Sequence, residues 1–561
     1  MQGTQGTEQF DAIVVGSGAT GGWAAKRLAE AGLKVALLEA GRNISPKEFT
    51  EHMPAYKLKY RDMSPEIVRT RPVQKQCYAC MEYNYDWFVD DLQNPYSTPA
   101  GKPFTWQRLR IVGGRTLVWG RQSYRMSDLD FKAASHDGYG EDWPVSYKEM
   151  EPYYDIVERY VGISGAAEEN PTLPDGQFLP PMKMTCGEVQ LRERVKAKLG
   201  HTVTIGRTAI LTKNHNGRAA CHYCGPCERG CSTFSYFSSP FTTVADALKT
   251  KKCTLITNAV VRQVDMDNAG NRAAGVTYVD RLSHKTYQAR AKAVILCAQA
   301  MESTRILLNS PTRAYPNGLG NSSGALGHYL MDHAVGAGAS GELPGLDTRP
   351  DAMSAPHRAN GIYVVRFRNV VNGPRHPRFI RGYGYQGGAG AEFNFGAEGF
   401  GADYKKAVQA GVYSIGLGAF GECLARWDNY CDIDPELKDA WGIPALRIHM
   451  TQGDNEKAMM EDAAVSAAEM LEAAGAKNIR VNSSLAMPGM AIHEVGTARM
   501  GTDPKKSVLN PYNQTHDVKN VFVMDGACYP SSACQNPTLT FMALTVRACD
   551  RLIERFQKNE V

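Results

Sequence analysis

Phe10-Asp11-Ala12-Ile13-Val14-Val15-Gly16-Ser17-Gly18-Ala19-Thr20-Gly21 is the stretch that decides the fold. A short apolar run breaks into Gly-x-Gly-x-x-Gly, an apolar-periodic segment continues to Ala31, and a second apolar run at 34–38 ends on Glu39. Hydrophobic period changes from two to about 3.6 and back, which predicts strand, glycine turn, helix and strand within about 30 residues. Gly16, Gly18 and Gly21 are the residue type this turn needs. They permit the tight bend and let the backbone approach a pyrophosphate, which then sits at a helix N-terminus whose unpaired N–H groups favour negative charge. Glu39, placed 21 positions after Gly18, is spaced to take ribose hydroxyls. The competing reading is a glycine-rich turn that only packs a helix on a sheet. The flanking strands and the acid favour a dinucleotide site over it.

A length of 561 residues leaves room for roughly two to four packed units. Hydrophobic residues at 43% and charged residues at 22% exclude a disordered, collagenous or coiled-coil chain. The net charge of +5 is too small and too dispersed for a nucleic-acid surface. No apolar run approaches the roughly 20 residues of a membrane span, and residues 1–10 have neither an apolar core nor a twin-Arg pair. A soluble chain with no export signal of its own is therefore expected.

A second glycine-bearing stretch, 110–120, contains Gly113-Gly114. Beyond it the periodicity predicts a helix at 240–249, strands at 254–264, 275–280 and 291–297, and a helix at about 301–309. Glycine-punctuated strand candidates at 361–367, 379–385 and 412–417 predict an antiparallel sheet. Asp454 reads as the N-cap of an Ala- and Met-rich helix that stops at Gly475. The C-terminal region holds His493-Glu494-Val495-Gly496-Thr497-Ala498-Arg499-Met500-Gly501, a strand at 520–524, Asp525-Gly526-Ala527, and Cys534-Gln535-Asn536-Pro537-Thr538. A helix from about 537 to 556 closes the chain, with proline tolerated in its first turn.

Four of the 14 cysteines crowd into Cys221-His222-Tyr223-Cys224-Gly225-Pro226-Cys227-Glu228-Arg229-Gly230-Cys231. The spacing C-x2-C-x2-C-x3-C matches the ligand run of bacterial ferredoxins, except that Ser232 replaces the trailing proline. Structural zinc usually takes two knuckles separated by a longer loop, and two disulfides would need an oxidising compartment. An iron-sulfur cluster is the favoured reading, with Cys221, Cys224, Cys227 and Cys231 as candidate ligands. Cys77-Tyr78-Ala79-Cys80 is a second C-x-x-C, outside any thioredoxin-like context; ordinary thiols and a functional pair both stay open. Cys186, Cys253, Cys297, Cys423, Cys431, Cys528, Cys534 and Cys549 read as small buried hydrophobes.

Taken together, the N-terminal dinucleotide unit, the Gly113-Gly114 stretch, the His493 to Gly501 segment and the run from Asp525 to the Asn-Pro-Thr ending resemble the glucose/methanol/choline (GMC) flavoprotein oxidoreductases. That resemblance implies an α/β fold, in which an FAD-binding, Rossmann-like, three-layer domain is interleaved with a substrate domain built on an antiparallel sheet with helices. It places 1–50, 100–125, 200–325 and 486–561 in the first domain and 51–99, 126–199 and 326–485 in the second. It implies His493 as the base that takes the hydroxyl proton during hydride transfer, a task suited to a neutral imidazole. Asn536 would hydrogen-bond the same hydroxyl, although its residue type also suits a helix cap. Other implied FAD contacts are Gly113, Gly114, Thr116, Val261, Ala298, Asp525, Ala527, Pro537 and Thr538. Some sugar oxidases of the family link FAD through a His immediately before a Trp. Here Val118 precedes Trp119, so noncovalent FAD is expected.

The cysteine run also resembles a branch of the family, the large subunits of bacterial FAD and iron-sulfur sugar or glucoside 3-dehydrogenases. It implies oxidation of a secondary sugar hydroxyl at C3, with a three-iron or four-iron cluster passing single electrons to a cytochrome, quinone or partner protein. A small partner subunit that carries the export signal would place the chain in the periplasm; otherwise it stays cytoplasmic. Two alternatives stay open. One is an oxygen-using sugar oxidase with structural cysteines, the other an electron-transfer flavoprotein with no alcohol substrate.

Overall fold

The computed structural model describes residues 9–61, 64–349 and 357–561. Residues 1–8, on which most of the export-signal expectation rests, lie outside them. The opening motif folds as its period demands: strand Gln9–Val15, helix Ala19–Glu30, strand Val35–Leu38. A parallel core runs in the order Cys253–Ile256, Val35–Leu38, Gln9–Val15, Thr286–Leu296, Val521–Val523. Beside the first half of Thr286–Leu296 the sheet continues antiparallel through Ala273–Asp280 and Ala259–Met266. Strand side chains alternate between faces. Ala12 and Val14 meet Ala24 and Leu28 of the first helix, Val244, and Ala548 and Leu552 of the C-terminal helix. Ile13 and Val15 enter the opposite core with Leu38, Met301 and Ile306. These are the three layers. The chain leaves Gln9–Val15 toward one neighbour and later fills the other side, so the end of that strand is the switch point where such sheets bind ligands.

A second sheet is antiparallel throughout, in the order Lys477–Asn482, Gly338–Glu342, Val412–Gly421, Tyr383–Glu392, Ile362–Val364, Val203–Ile205. Helices Cys186–Leu199 and Asp454–Ala474 cover one face, burying Leu191, Val195, Met459, Ala463 and Met470. The sheet's other side reaches the switch point through Gln386 and Phe420. Among the described residues no helix is long and apolar enough to cross a membrane.

Several sequence expectations shift. The run at 254–264 is two strands, because Asn258 turns at φ 58° and sends them to opposite ends of the first sheet. The expected strand at 379–385 begins only at Tyr383 and runs to Glu392 through a glycine-rich segment. Glycine is required there: a Cβ on Gly387 would lie 2.1 Å from the Gly416 carbonyl oxygen. Gly453, not Asp454, is the N-cap of the Ala- and Met-rich helix, and its N–H donates to Glu456. Val203–Ile205 joins the antiparallel sheet although it falls within the 200–325 segment. Cys186 is exposed, since it opens a helix directly after the Thr185 cap; the other seven cysteines read as core are buried.

Candidate active site

A cavity of about 480 Å³ opens at the switch point, a size usual for ligand clefts. Its first wall is the glycine turn. Gly16 holds φ 97°, and a Cβ there would lie 2.4 Å from the Cys297 carbonyl oxygen. Gly21 lets the first helix close onto that turn, since its Cβ would lie 1.8 Å from the Gly16 oxygen. Gly18 differs. It is the N-cap of the helix, and a Cβ there would meet nothing nearer than the Gly113 oxygen at 4.0 Å, because it would project into the cavity. Ser17 ties this turn to the two residues the sequence placed with it. Its hydroxyl donates to Glu39 Oε2 at 2.6 Å and accepts from the Gly113 N–H at 2.9 Å.

Glu39 is buried and lines the cavity. Burial pushes its carboxyl up, and hydrogen bonds from Ser17 and Gly41 oppose this. The chain's own donors to it are the Ser17 N–H and hydroxyl and the Gly41 N–H. A carboxylate presents about four lone-pair sites, so one is left for a ligand hydroxyl. Gly114, Thr116, Val261, Ala298 and Asp525 also line the cavity. Burial lifts the Asp525 carboxyl to about 6, against a hydrogen bond from Ser303. Gly21, Gly113 and Ala527 stand behind the wall. Ala527 is fully buried, and its N–H donates to Asp525 Oδ1 at 3.1 Å. Several buried polar atoms of lining residues, Gln107 Oε1, Arg110 Nη1 and Gln299 Nε2 among them, have no hydrogen-bond partner among the described residues. Unpaired donors and acceptors beside a glycine cradle fit a large polar cofactor such as a dinucleotide.

His493, Asn536, Pro537 and Thr538 line the same cavity. Pro537 is the N-cap of helix Thr538–Gln557, and no side chain caps it. Asn536 is therefore free of the capping role its residue type allowed. Its Nδ2 lies 3.3 Å from His493 Nε2, and its Oδ1 accepts from Gln386 Nε2 at 2.7 Å. Burial pushes His493 well below the usual imidazole range, helped by His333 and by the positive charge of Arg115. The ring is thus neutral at neutral pH, as a proton acceptor must be.

Two neighbours of His493 carry no motif of their own. Asp332 accepts the N–H groups of Gly489, Ala491 and His493 at 3.0, 3.2 and 2.9 Å. His333 Nδ1 lies 2.9 Å from His493 Nδ1. Met331 adds a reciprocal backbone bridge to Val495. Three consecutive residues therefore clamp the segment that bears His493. The available signal was an acid beside a histidine in an apolar setting, Met331-Asp332-His333-Ala334, which is too common to single out.

The cysteine run forms a half-buried loop over Met182, Ile205, Ile210 and Tyr236. Burial and the three neighbouring thiols push Cys224 up to about 11. Burial also raises Cys227, where Arg121 on the cavity wall opposes it. Among the described residues no three His, Cys, Asp or Glu side chains converge on a point that could hold a metal ion. As placed, the four thiols do not form a cluster cage.

A parallel sheet with a glycine cradle at its switch point, and a neutral histidine and a helix N-terminus lining the same cavity, fits the class of dinucleotide-binding enzymes. Comparison with known proteins gives the family. The models described as GMC oxidoreductase match residues 10–335 and 427–545, and the chain belongs to that family. It is 30% identical to 2-methyl-1,2-propanediol dehydrogenase of Mycolicibacterium austroafricanum, over 99% of this chain and 97% of that protein. It is 27% identical to the fructose dehydrogenase large subunit of Gluconobacter japonicus over 99% of each. The solved structure of pyridoxine 4-oxidase from Mesorbium loti shares the fold, with a TM-score of 0.59 at 18% identity, covering 96% of this chain and 98% of that one. Membership implies FAD and an oxidoreductase acting on CH–OH groups of alcohols or sugars.

Proposed function

We propose that this chain is an FAD-dependent dehydrogenase that oxidises a secondary hydroxyl of a sugar or glucoside to a ketone, with His493 as general base. The observation that carries this reading is the pair formed by His493 Nε2 and Asn536 Nδ2, 3.3 Å apart on the cavity lining. FAD, when bound, supplies the acceptor for a hydride. The chain supplies the rest. A hydroxyl placed between the two side chains gives its proton to His493 Nε2, and Asn536 Nδ2 donates to the oxygen as it gains alkoxide character. Gln386 holds the Asn536 amide in the orientation this needs. The N-terminus of the 20-residue helix Thr538–Gln557 turns its positive end toward negative charge that builds in the cavity.

The residues proposed to hold FAD are Gly16, Gly18, Glu39, Gly114, Thr116, Val261, Ala298, Asp525, Asn536, Pro537 and Thr538 on the wall, with Gly21, Gly113 and Ala527 shaping it from behind. Noncovalent attachment is proposed because Val118 stands where a linking histidine would be. The division into cofactor segments 1–50, 100–125, 200–325 and 486–561 and substrate segments between them is proposed with one reassignment: strand Val203–Ile205 goes to the substrate sheet.

Finer features rest on narrower support. Position C3 rests on the resemblance to the glucoside 3-dehydrogenase branch, and an iron-sulfur cluster at Cys221, Cys224, Cys227 and Cys231 on the cysteine spacing; the thiols would have to draw together to hold one. A one-electron exit to a cytochrome, quinone or partner subunit follows only where that cluster assembles. The word "large subunit" in the name of the Gluconobacter relative supports a smaller partner here too, and with it export to the periplasm rather than a cytoplasmic site. The packing of Cys221, Cys227 and Cys231 against Met182, Ile205, Ile210 and Tyr236 supports one second reading, an oxygen-using oxidase with structural cysteines. Anaerobic mixing with a panel of glucosides, followed by flavin absorbance and product regiochemistry, tests the proposal. Peroxide formation in air without iron in the protein would select the oxidase.

A further inference from the structure

Ala533 fixes a chain of hydrogen-bond polarity that ends at the reacting nitrogen. Its carbonyl oxygen lies 2.8 Å from His333 Nε2, and a carbonyl only accepts. His333 Nε2 therefore carries a hydrogen. His333 is fully enclosed and burial pushes it down to about 4, so the ring is neutral and its Nδ1 holds a bare lone pair. That lone pair faces His493 Nδ1 at 2.9 Å. The contact is a hydrogen bond only if His493 carries its proton on Nδ1, which leaves Nε2 bare. The other side of the ring agrees. Nε2 faces the Asn536 amide at 3.3 Å, and Gln386, by donating to Asn536 Oδ1, leaves Asn536 Nδ2 as the donor toward Nε2.

We propose that His333 is a positioning residue that sets the tautomer of His493, holding the proton on Nδ1 and the lone pair on Nε2, the atom that faces the cavity. The inference rests on the reading of His493 as the base. It adds a residue 160 positions away in sequence that touches neither substrate nor cofactor.

The backbone on both sides is built for this contact. Ile492, just before the base, has φ 63°, and Ala533, which offers the carbonyl, has φ 67°. Neither is glycine, and a β-branched residue in the left-handed region is a true outlier. Such conformations are strained and persist only where surrounding contacts enforce them. Asp332 supplies that enforcement on the His493 side through its three backbone acceptances. The arrangement also confines the proton taken from substrate. Passing it through His333 would require Nε2 to release its hydrogen to a carbonyl that cannot take it. The proton on His493 therefore leaves by the cavity.

The test is the protonation pattern of the His493 ring in the FAD-loaded protein without substrate, read from ¹⁵N shifts of labelled histidine and assigned by the signals missing in His493→Gln. Wild type is expected to show a protonated Nδ1 and a bare Nε2 across neutral pH. His333→Phe removes the acceptor, and the ring should shift toward the Nε2-protonated form, with substrate-driven flavin reduction slowed at least tenfold. His333→Gln can donate to Ala533 and accept from His493 with opposite ends of its amide, and should restore both the tautomer and most of the rate. A bare Nδ1 in wild type, or a His333→Phe protein whose His493 pattern and rate match wild type, would overturn the proposal. Failure of the underlying reading looks different: His493→Ala would leave flavin reduction intact while the ring pattern still answered to His333.

Discussion

Arg115 and Glu494 form a two-pronged ion pair, Nη1 to Oε2 at 2.6 Å and Nη2 to Oε1 at 2.9 Å. It joins the Gly113-Gly114 stretch to the residue that follows His493. The Glu494 side chain is wholly buried, while that of Arg115 keeps 26% of its surface. Breaking a buried pair from one side strands the other charge and typically costs 3–5 kcal/mol. Allowing for the partial exposure of Arg115, Arg115→Met is expected to lower unfolding free energy by about 3 kcal/mol and to slow flavin reduction through displacement of His493. Denaturant titration measures the first. A variant as stable as wild type would show that the pair does not hold the two segments together.

Gly18 and Gly21 should fail in different ways. Valine at Gly18 adds atoms to open cavity space, so the protein is expected to fold and to retain flavin at least tenfold more weakly. Alanine at Gly21 forces a Cβ into the Gly16 carbonyl, an overpacking that typically costs 1–3 kcal/mol or more. The flavin-to-protein absorbance ratio and the thermal midpoint separate the two. Equal flavin loss with equal destabilisation in both variants would remove Gly18 from the cofactor wall.

Acid should weaken the fold through His333. The unfolded side chain takes its proton near 6.5, whereas burial holds the folded ring at about 4. A depressed folded value contributes stability that is complete above about 6.5 and is lost as pH falls toward 4, by up to about 3 kcal/mol. His493 is shifted in the same direction and adds to the effect. Denaturation midpoints between pH 7 and 4 should fall more steeply for wild type than for His333→Gln; parallel curves would count against a neutral buried His333. The same depression of His493 predicts flavin reduction that is level across neutral pH and declines only on the acid side.

The cysteine run makes its own prediction. With Cys224 lifted to about 11 by burial and its neighbours, the metal-free loop presents a protonated Cys224 thiol that reacts slowly with alkylating agents at neutral pH. If the loop holds the proposed cluster, anaerobically purified protein carries iron and acid-labile sulfide, both lost in Cys224→Ser. Iron-free protein that still reduces its flavin with sugar would assign the loop a structural role.

Legibility in the sequence followed the distance over which each feature is encoded. The glycine turn, its flanking strands and Glu39 lie within one βαβ unit, where period and residue type specify the local path, and they fold as read. His493, Asn536 and Thr538 were visible through a family pattern and meet at the cavity. Asp332, His333 and Gln386 were not. Their contacts with the 489–536 region span about 150 residues or more and depend on how two sheets pack, which no local period encodes. Asn258 shows the same limit on a smaller scale. One residue at positive φ splits what reads as a continuous strand and sends the halves to opposite sides of a sheet.

Stopped-flow mixing of the FAD-loaded protein with glucosides in the absence of oxygen tests the central claim most directly, with wild type compared against His493→Ala. The account predicts flavin reduction by at least one glucoside in wild type, with the rate lowered by roughly 10²- to 10⁴-fold in the variant. Flavin reduced at the same rate by the same glucoside in both proteins would contradict it.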